Sequence, residues 1–397
     1  MIATEGGRAA RAVALIGCGY VADLYMRSFA LHPDVAIVAA WDRDPARLAA
    51  FCAHWRVPAA SSRAELFARL PKGGVVANLT NPAAHAAITR AALLAGHHVW
   101  SEKPLALTLD EARGLVEFAD ARGLLVSSAP SSVLGEAAQL LARAVREGVA
   151  GTPRLVYAEL DDGYIPQAPH AHWRSDSGAP WPWADEARVG CTLEHAGYYL
   201  SWLVAMFGPV ATVVAASAEV IPDKLHGGAT GGATGDATGD AAAGAPDVSV
   251  AVLFFASGMV ARLTCSIVAP HDHRIRVVGE GGVLEVARAW DNGAPVRFRR
   301  RLVLRRRLLE HPLGRRLRAP GATHPRVGRR GAAAMNFALG PVEMLDALAE
   351  GRDCRLSPAF SLHVTEVALA IHNARDRAGA QAMTTTCAPP EPMPWAR

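Results

Sequence analysis

The chain has no apolar run approaching the roughly 20 residues that cross a bilayer. Its opening stretch, "MIATEGGRAARAVALIGCG", has neither the longer apolar core nor the cleavage site of a secretion signal. These absences predict a cytoplasmic protein with no membrane partner. Cysteine is scarce: six residues, Cys18, Cys52, Cys191, Cys265, Cys354 and Cys387, lie scattered without a C-x-x-C spacing. That argues against a disulfide framework and a structural zinc cluster. Charge of one sign is also lacking, since the net value is only +4 over 397 residues. Most of the excess falls in 297–330, "RFRRRLVLRRRLLEHPLGRRLRAPGATHPRVGRR". With no interleaved aromatics for base stacking and no nucleic-acid module, no nucleic-acid partner is expected. The stretch reads either as a solvated basic loop or as a cradle for an anionic substrate.

What is present is ample apolar material, 51% of the chain, in a length that exceeds one hydrophobic core. About two domains are expected. Through residue 130, short apolar runs alternate with amphipathic segments, the rhythm of a doubly wound α/β parallel sheet. The runs at 12–16, 35–41, 74–80, 97–100 and 123–128 read as strands. Segments 20–31, 44–55, 62–70, 82–96 and 108–123 read as helices, the last opened by Thr108 and Glu111 at capping-box spacing. From 131 to 397 several consecutive strands flanked by helices predict an α+β domain with a largely antiparallel open sheet. Residues 226–246, "HGGATGGATGDATGDAAAGAP", read as a flexible insert between two strands.

In "ALIGCGYVADLY", Gly17, Gly19 and Ala22 make a G-x-G-x-x-A turn after a strand and before a helix. Such a turn permits a tight bend, lets backbone approach a pyrophosphate, and faces it with a helix N-terminus that begins at Tyr20 and Val21. Asp42 ends the second strand, where a carboxylate can take the adenosine ribose hydroxyls, which favours NAD. Arg43 beside it could attract a 2′-phosphate, so NADP is the alternative. Thr80 and Asn81 end a third strand, and His85 follows one turn into a helix that starts on Pro82. Ligands of open α/β sheets bind beyond such strand ends.

"HHVWSEKPLAL" places Glu102, Lys103 and Pro104 at a fourth strand end. Proline holds Lys103 in extended backbone, so both charges should face the same crevice. Lys103 could donate to a substrate oxygen, or shuttle its proton if burial lowers its pKa. An exposed ion pair at a loop is the competing reading.

These motifs, in this order through residues 11–130, resemble the glucose-fructose oxidoreductase, inositol dehydrogenase and MocA family (Gfo/Idh/MocA). The later "MNFALGPVEMLDALAEGRDCRLSPAFSLHVTEVALAI" is similar to the family's C-terminal region. The resemblance implies a Rossmann nucleotide-binding domain followed by an α+β domain whose open sheet often makes dimer contacts, so a homo-oligomer, dimer or tetramer, is expected. It also implies nicotinamide-dependent oxidation or reduction at a carbon of a carbohydrate: a sugar, cyclitol or nucleotide-linked sugar, anionic in one reading. Lys103 would be catalytic.

In "GCTLEHAGYYLSWL" the family's usual Asp and His positions hold His195 and Tyr199. Residues i and i+4 share a helix face, so Lys103, His195 and Tyr199 are expected to form the acid-base set, with Glu194 about 100° away. The changed residues leave open a redox-neutral lyase or glycosidase using held NAD, or an inactive cofactor-binding protein. Upstream, 161–186 has the character of a substrate loop, with Tyr164, Trp173 and Arg174 as candidate contacts. His170/His172 and His271/His273 have the H-x-H spacing that binds metal when both side chains point one way. Without clustered cysteines or an H-E-x-x-H helix, no metal is expected.

Overall fold

A computed structural model describes residues 11–225, 244–328, 331–377 and 379–397. Most of the Gly/Ala/Thr insert lies outside the described residues. No helix among the described residues is long and apolar enough to cross a membrane.

The N-terminal sheet contains β1 (Arg11–Ile16), β2 (Val35–Trp41), β3 (Val75–Asn78), β4 (His98–Ser101) and β5 (Val126–Ser128) in the order β2-β1-β3-β4-β5, all parallel. Helices α1 (Tyr20–Phe29), α2 (Pro45–Trp55), α3 (Arg63–Arg69), α4 (Pro82–Leu94) and α5 (Leu109–Asp120) connect the strands. Their starts reflect local chemistry. Asp44 caps α2 by accepting from the Ala46 amide at 2.9 Å, and Pro82 supplies the fixed φ that opens α4. The Thr108 hydroxyl accepts from the Glu111 amide at 3.3 Å and donates to its carboxylate at 3.0 Å.

Strand periodicity sends alternate residues to opposite faces. Ala12, Ala14 and Ile16 join one buried layer with Val76 and Val99. Val13, Leu15, Val75, Ala77 and Trp100 join a second layer that runs on into the C-terminal half. The strand ends of the first sheet therefore abut the second domain, and a cleft forms where they meet.

The second half opens with α6 (Glu136–Arg146) and β6 (Pro153–Asp161), then α7 (Trp183–Val189) and α8 (Gly197–Phe207). Its sheet continues through β7 (Val210–Ala218), β8 (Val248–Phe255), β9 (Val260–Ser266), β10 (Ile275–Gly279), β11 (Gly282–Val286) and β12 (Val296–Leu304). The strand order is β12-β11-β10-β6-β9-β8-β7, and β6 with β9 is the parallel pair in an otherwise antiparallel arrangement. The arginine-rich stretch departs from the expected loop. It forms β12 and, hairpinned onto it, β13 (Arg307–Glu310), with β14 (Arg315–Arg316) beside β12. Val296 is buried and Phe298 half-buried on the sheet, while arginines and the exposed Val303, Leu304, Leu308 and Leu309 share the wet positions, so a strand interrupted by arginines reads as a loop in sequence.

Two late helices, α9 (Leu339–Glu350) and α10 (Pro358–His372), return to the first sheet. A Cβ at Gly340 would lie 2.1 Å from the Trp100 ring, so only glycine lets α9 approach β4 this closely. Ser361 Oγ accepts from the Ser128 amide at 3.0 Å, tying α10 to the end of β5. A last short strand, β15 (Ala380–Ala382), pairs with β7.

Candidate active site

β1 ends at Ile16 and the chain turns through Gly17, with φ of +98°. A Cβ there would lie 2.6 Å from the Leu79 carbonyl oxygen, so the first glycine allows the β1 and β3 ends to touch. Nothing lies within 4 Å of a Cβ built on Gly19, at the N-terminus of α1. That open approach to unpaired amides is what a pyrophosphate needs. Asp42 is buried, and its two oxygens accept from the Cys18 amide at 2.7 Å and the Asp44 amide at 2.8 Å. A carboxylate has about four lone-pair sites, so the hydroxyls of a ribose can still be accepted. The turn and Asp42 therefore fit NAD. Gly19, Tyr20, Val21 and Arg43 line the adjoining cleft, of about 810 Å³, and Asp42 immediately precedes Arg43.

The strand ends β3 and β4 form the floor. Thr80 donates its hydroxyl to Asn78 at 2.7 Å, and Asn81 donates to Asp185 at the start of α7, joining the two domains beside the cleft. His85 does not reach the cleft. It is fully buried, with Nδ1 2.7 Å from the Pro104 carbonyl oxygen and Nε2 2.8 Å from that of Thr80. It thereby joins the two site-bearing loops, a positioning role.

Glu102 is held by a buried relay: Trp100 Nε1 donates to the Tyr25 hydroxyl at 2.8 Å, which donates to Glu102 at 2.7 Å. Lys103 reaches across and forms an ion pair with Glu194. Burial alone would depress the lysine pKa, but Glu194, with Tyr198, Glu102 and Glu186, outweighs it and holds the ammonium above its ordinary value. Of the roles open to Lys103 in sequence, the raised pKa favours donation to a substrate oxygen over a proton shuttle that needs a lowered one, and the group stays charged. Nearby, Glu186 is shifted upward by burial and by the Glu194 carboxylate.

The helix turns Tyr198, three positions after His195, to the cleft rather than Tyr199, four positions after it. Residues Thr192–Ala196 form a π-helical turn ahead of α8. Glu194, His195 and Tyr198 line the cleft, and Lys103 Nζ lies 6.0 Å from the Tyr198 ring centre. Tyr199 instead points into the core, fully buried, its hydroxyl without a hydrogen-bond partner. Tyr199 is thus removed from the acid-base set, and Tyr198 and Glu194 stand near the lysine. Burial pushes the His195 imidazole below its ordinary range, opposed by Asp162 and reinforced by Lys103. It is neutral near pH 7 and can accept a proton.

On the far wall Tyr164 and Trp173 line the cleft together with Trp181 and Trp290. Arg174 does not, because its guanidinium donates to the backbone carbonyls of Ala171 and Trp173, both at 3.0 Å. Asp162, Glu186, His271 and His273 also face the cleft. The paired acids and the H-x-H spacing were their signals in sequence, but only strand pairing brings them to one place.

Residues 11–129 match the NAD-binding Rossmann-fold model of the GFO/IDH/MocA oxidoreductases, and residues 138–285 match that family's C-terminal domain. The chain belongs to the GFO/IDH/MocA family. NAD is accordingly its nucleotide. Its sequence is 32% identical over 143 residues to dTDP-3,4-didehydro-2,6-dideoxy-alpha-D-glucose 3-reductase of Streptomyces antibioticus, 36% of this chain and 42% of that one. It is 26% identical over 272 residues to trans-1,2-dihydrobenzene-1,2-diol dehydrogenase of Bos taurus, 68% and 71% of the two chains. The matched stretch spans about half the length of other curated relatives. Among solved structures, levoglucosan dehydrogenase with NADH and levoglucosan superposes at a TM-score of 0.73 with 17% identity, covering 94% of this chain and 99% of that one. The shared fold includes both domains.

Proposed function

We propose that this protein exchanges hydride between NAD and a hydroxyl or ketone carbon of a sugar, cyclitol or nucleotide-linked sugar. The observation that carries the proposal is the convergence of a charged lysine, Lys103, and a neutral histidine, His195, on one cleft at the strand ends of a nucleotide-binding sheet. Bound NAD would accept or deliver the hydride. It would be held by the amides at Gly19, by Asp42 on the ribose, and by Asn81 and Glu102 toward the nicotinamide.

Lys103 donates a hydrogen bond to the substrate oxygen and stabilises negative charge there. His195 takes the hydroxyl proton in oxidation and returns it in reduction. Glu194 positions the lysine. Trp173, Trp181 and Tyr164 present faces to a sugar ring. Asp42 at the ribose favours NAD over NADP, despite Arg43 at the rim.

A panel of sugars, cyclitols and nucleotide-linked sugars with NAD or NADH should change nicotinamide absorbance with at least one member, and Lys103→Ala should lower that rate at least a hundredfold. Full turnover in Lys103→Ala would overturn the assignment.

A homo-oligomer built on the open sheet is part of the same proposal. The face of β7 and β8 turned away from the core exposes Val214, Val250 and Phe254, and apolar residues in such a row suit a partner sheet. Phe254→Asp should shift the sedimentation of the oligomer to that of a monomer; an unchanged value would contradict it.

A further inference from the structure

We propose that Asp162, His271 and His273 form a site for one divalent transition ion of the zinc class, in the substrate half of the cleft. Backbone pairing creates the cluster. Asp161 and Asp272 exchange amide hydrogen bonds, at 2.9 and 2.8 Å, which sets them opposite each other at the end of β6. The next pair in that antiparallel register is Asp162 and His271, and the two-residue period puts His273 on the same face. His273 is further fixed through its carbonyl, which accepts from the Ala289 amide at 2.9 Å.

One ligand atom from each residue lies within 4.8 Å of the other two. His273 Nε2 lies 3.2 Å from Asp162 Oδ1, and the two imidazole rings are 4.0 Å apart. Bonds of about 2.0 Å in tetrahedral geometry need ligand atoms roughly 3.3 Å apart. One pair is already there, and the exposed His271 has room to close the remaining gap.

A second observation points to a ligand. His273 is 5% exposed, yet its Nε2 has no hydrogen-bond partner. The Asp162 carboxylate stands 3.2 Å from it without forming a hydrogen bond, and a cation placed between the two would engage both. Two imidazoles and one carboxylate suit zinc, cobalt or nickel, whereas magnesium and calcium favour oxygen sets. Three protein ligands leave a fourth position open. It faces the cleft, where it could take an oxygen of a vicinal diol or hydroxy acid. The carboxylates of Asp161, Glu186 and Glu194 in the surroundings favour a cation.

The proposal depends on no hydride chemistry, and its test uses neither NAD nor substrate. Chelator-treated full-length protein is titrated with Co²⁺, followed by its visible ligand-field absorption, and with Zn²⁺ by calorimetry. The expected result is one ion per chain, bound at least tenfold more weakly by His271→Ala and by Asp162→Asn. His271 is exposed, so its variant should keep the wild-type circular dichroism. His172→Ala, outside the cluster, should bind as the wild type does. Absence of stoichiometric binding, wild-type affinity in either cluster variant, or loss in His172→Ala would overturn the proposal.

Discussion

Lys103 and Glu194, 91 positions apart in sequence, meet as an ion pair across the cleft between the two domains, with side chains 15% and 9% exposed. One comes from the end of a parallel strand and the other from a π-helical turn. A buried pair of this kind contributes little net stability when intact, and losing one partner costs several kcal/mol. Its value here is to keep the ammonium charged at the point where a substrate oxygen would sit.

Glu194→Gln should therefore change the pH profile as well as the rate. With the carboxylate gone, burial is less opposed and the Lys103 pKa falls from its raised value. Activity that needs the protonated lysine is then lost at lower pH. The alkaline limb of kcat/KM should move toward neutrality by about one pH unit or more, as steady-state kinetics across pH would show. An unmoved limb would separate Glu194 from the lysine's charge.

The two adjacent tyrosines should behave oppositely. Tyr199→Phe removes a buried hydroxyl that has no partner, so it should leave kcat within about twofold and the melting temperature equal or higher. Tyr198→Ala removes a ring that lines the cleft beside Lys103 and should lower kcat/KM about tenfold or more. Kinetics and thermal melts on the two variants decide between the helix faces.

Gly17→Ala should weaken NAD binding at least tenfold by calorimetry. The backbone at +98° and the contact with the Leu79 carbonyl leave no space for a methyl group, and the strain costs about 1–3 kcal/mol. Asp42→Ala should also lower the urea midpoint, because it leaves the Cys18 and Asp44 amides unpaired.

Acid should destabilise the fold through its buried histidines. Burial lowers the pKa of His85, His324 and His363, and takes His372 from 6.5 down to about 4. Above pH 6.5 these groups are neutral in both states. Between 6.5 and 4 the unfolded chain takes up protons first, so stability falls as pH falls and levels off below the folded value. His372 alone accounts for about 2 kcal/mol after allowance for its partial exposure. Urea midpoints measured from pH 7 to pH 4 should decline, and less steeply in His372→Gln.

The parallel sheet is legible in sequence because each strand is a short apolar run ending in a turn signal, and those ends expose Gly19, Asn81 and Lys103 directly. The helix face is not legible. Tyr198 and Tyr199 stand three and four positions after His195, and both spacings share its helix face, so in a segment apolar on every side spacing does not single out the tyrosine that meets the cleft. The arginine strands are missed because runs of arginine interrupt their apolar residues and leave no clean two-residue alternation. Asp162, His271 and His273 converge only through β pairing between distant segments, which local spacing cannot reveal. Arg174 is spent on its own loop's carbonyls, a contact that composition does not foretell.

The central claim, hydride exchange at a carbohydrate carbon, is tested most directly by isotope transfer. NADH carrying deuterium at the nicotinamide C4 is incubated with the protein and keto-sugars drawn from the same panel, and products are analysed by mass spectrometry. The account predicts one deuterium on carbon in at least one reduced product, with none above background in Lys103→Ala. Bound NADH with no label entering any product would contradict it.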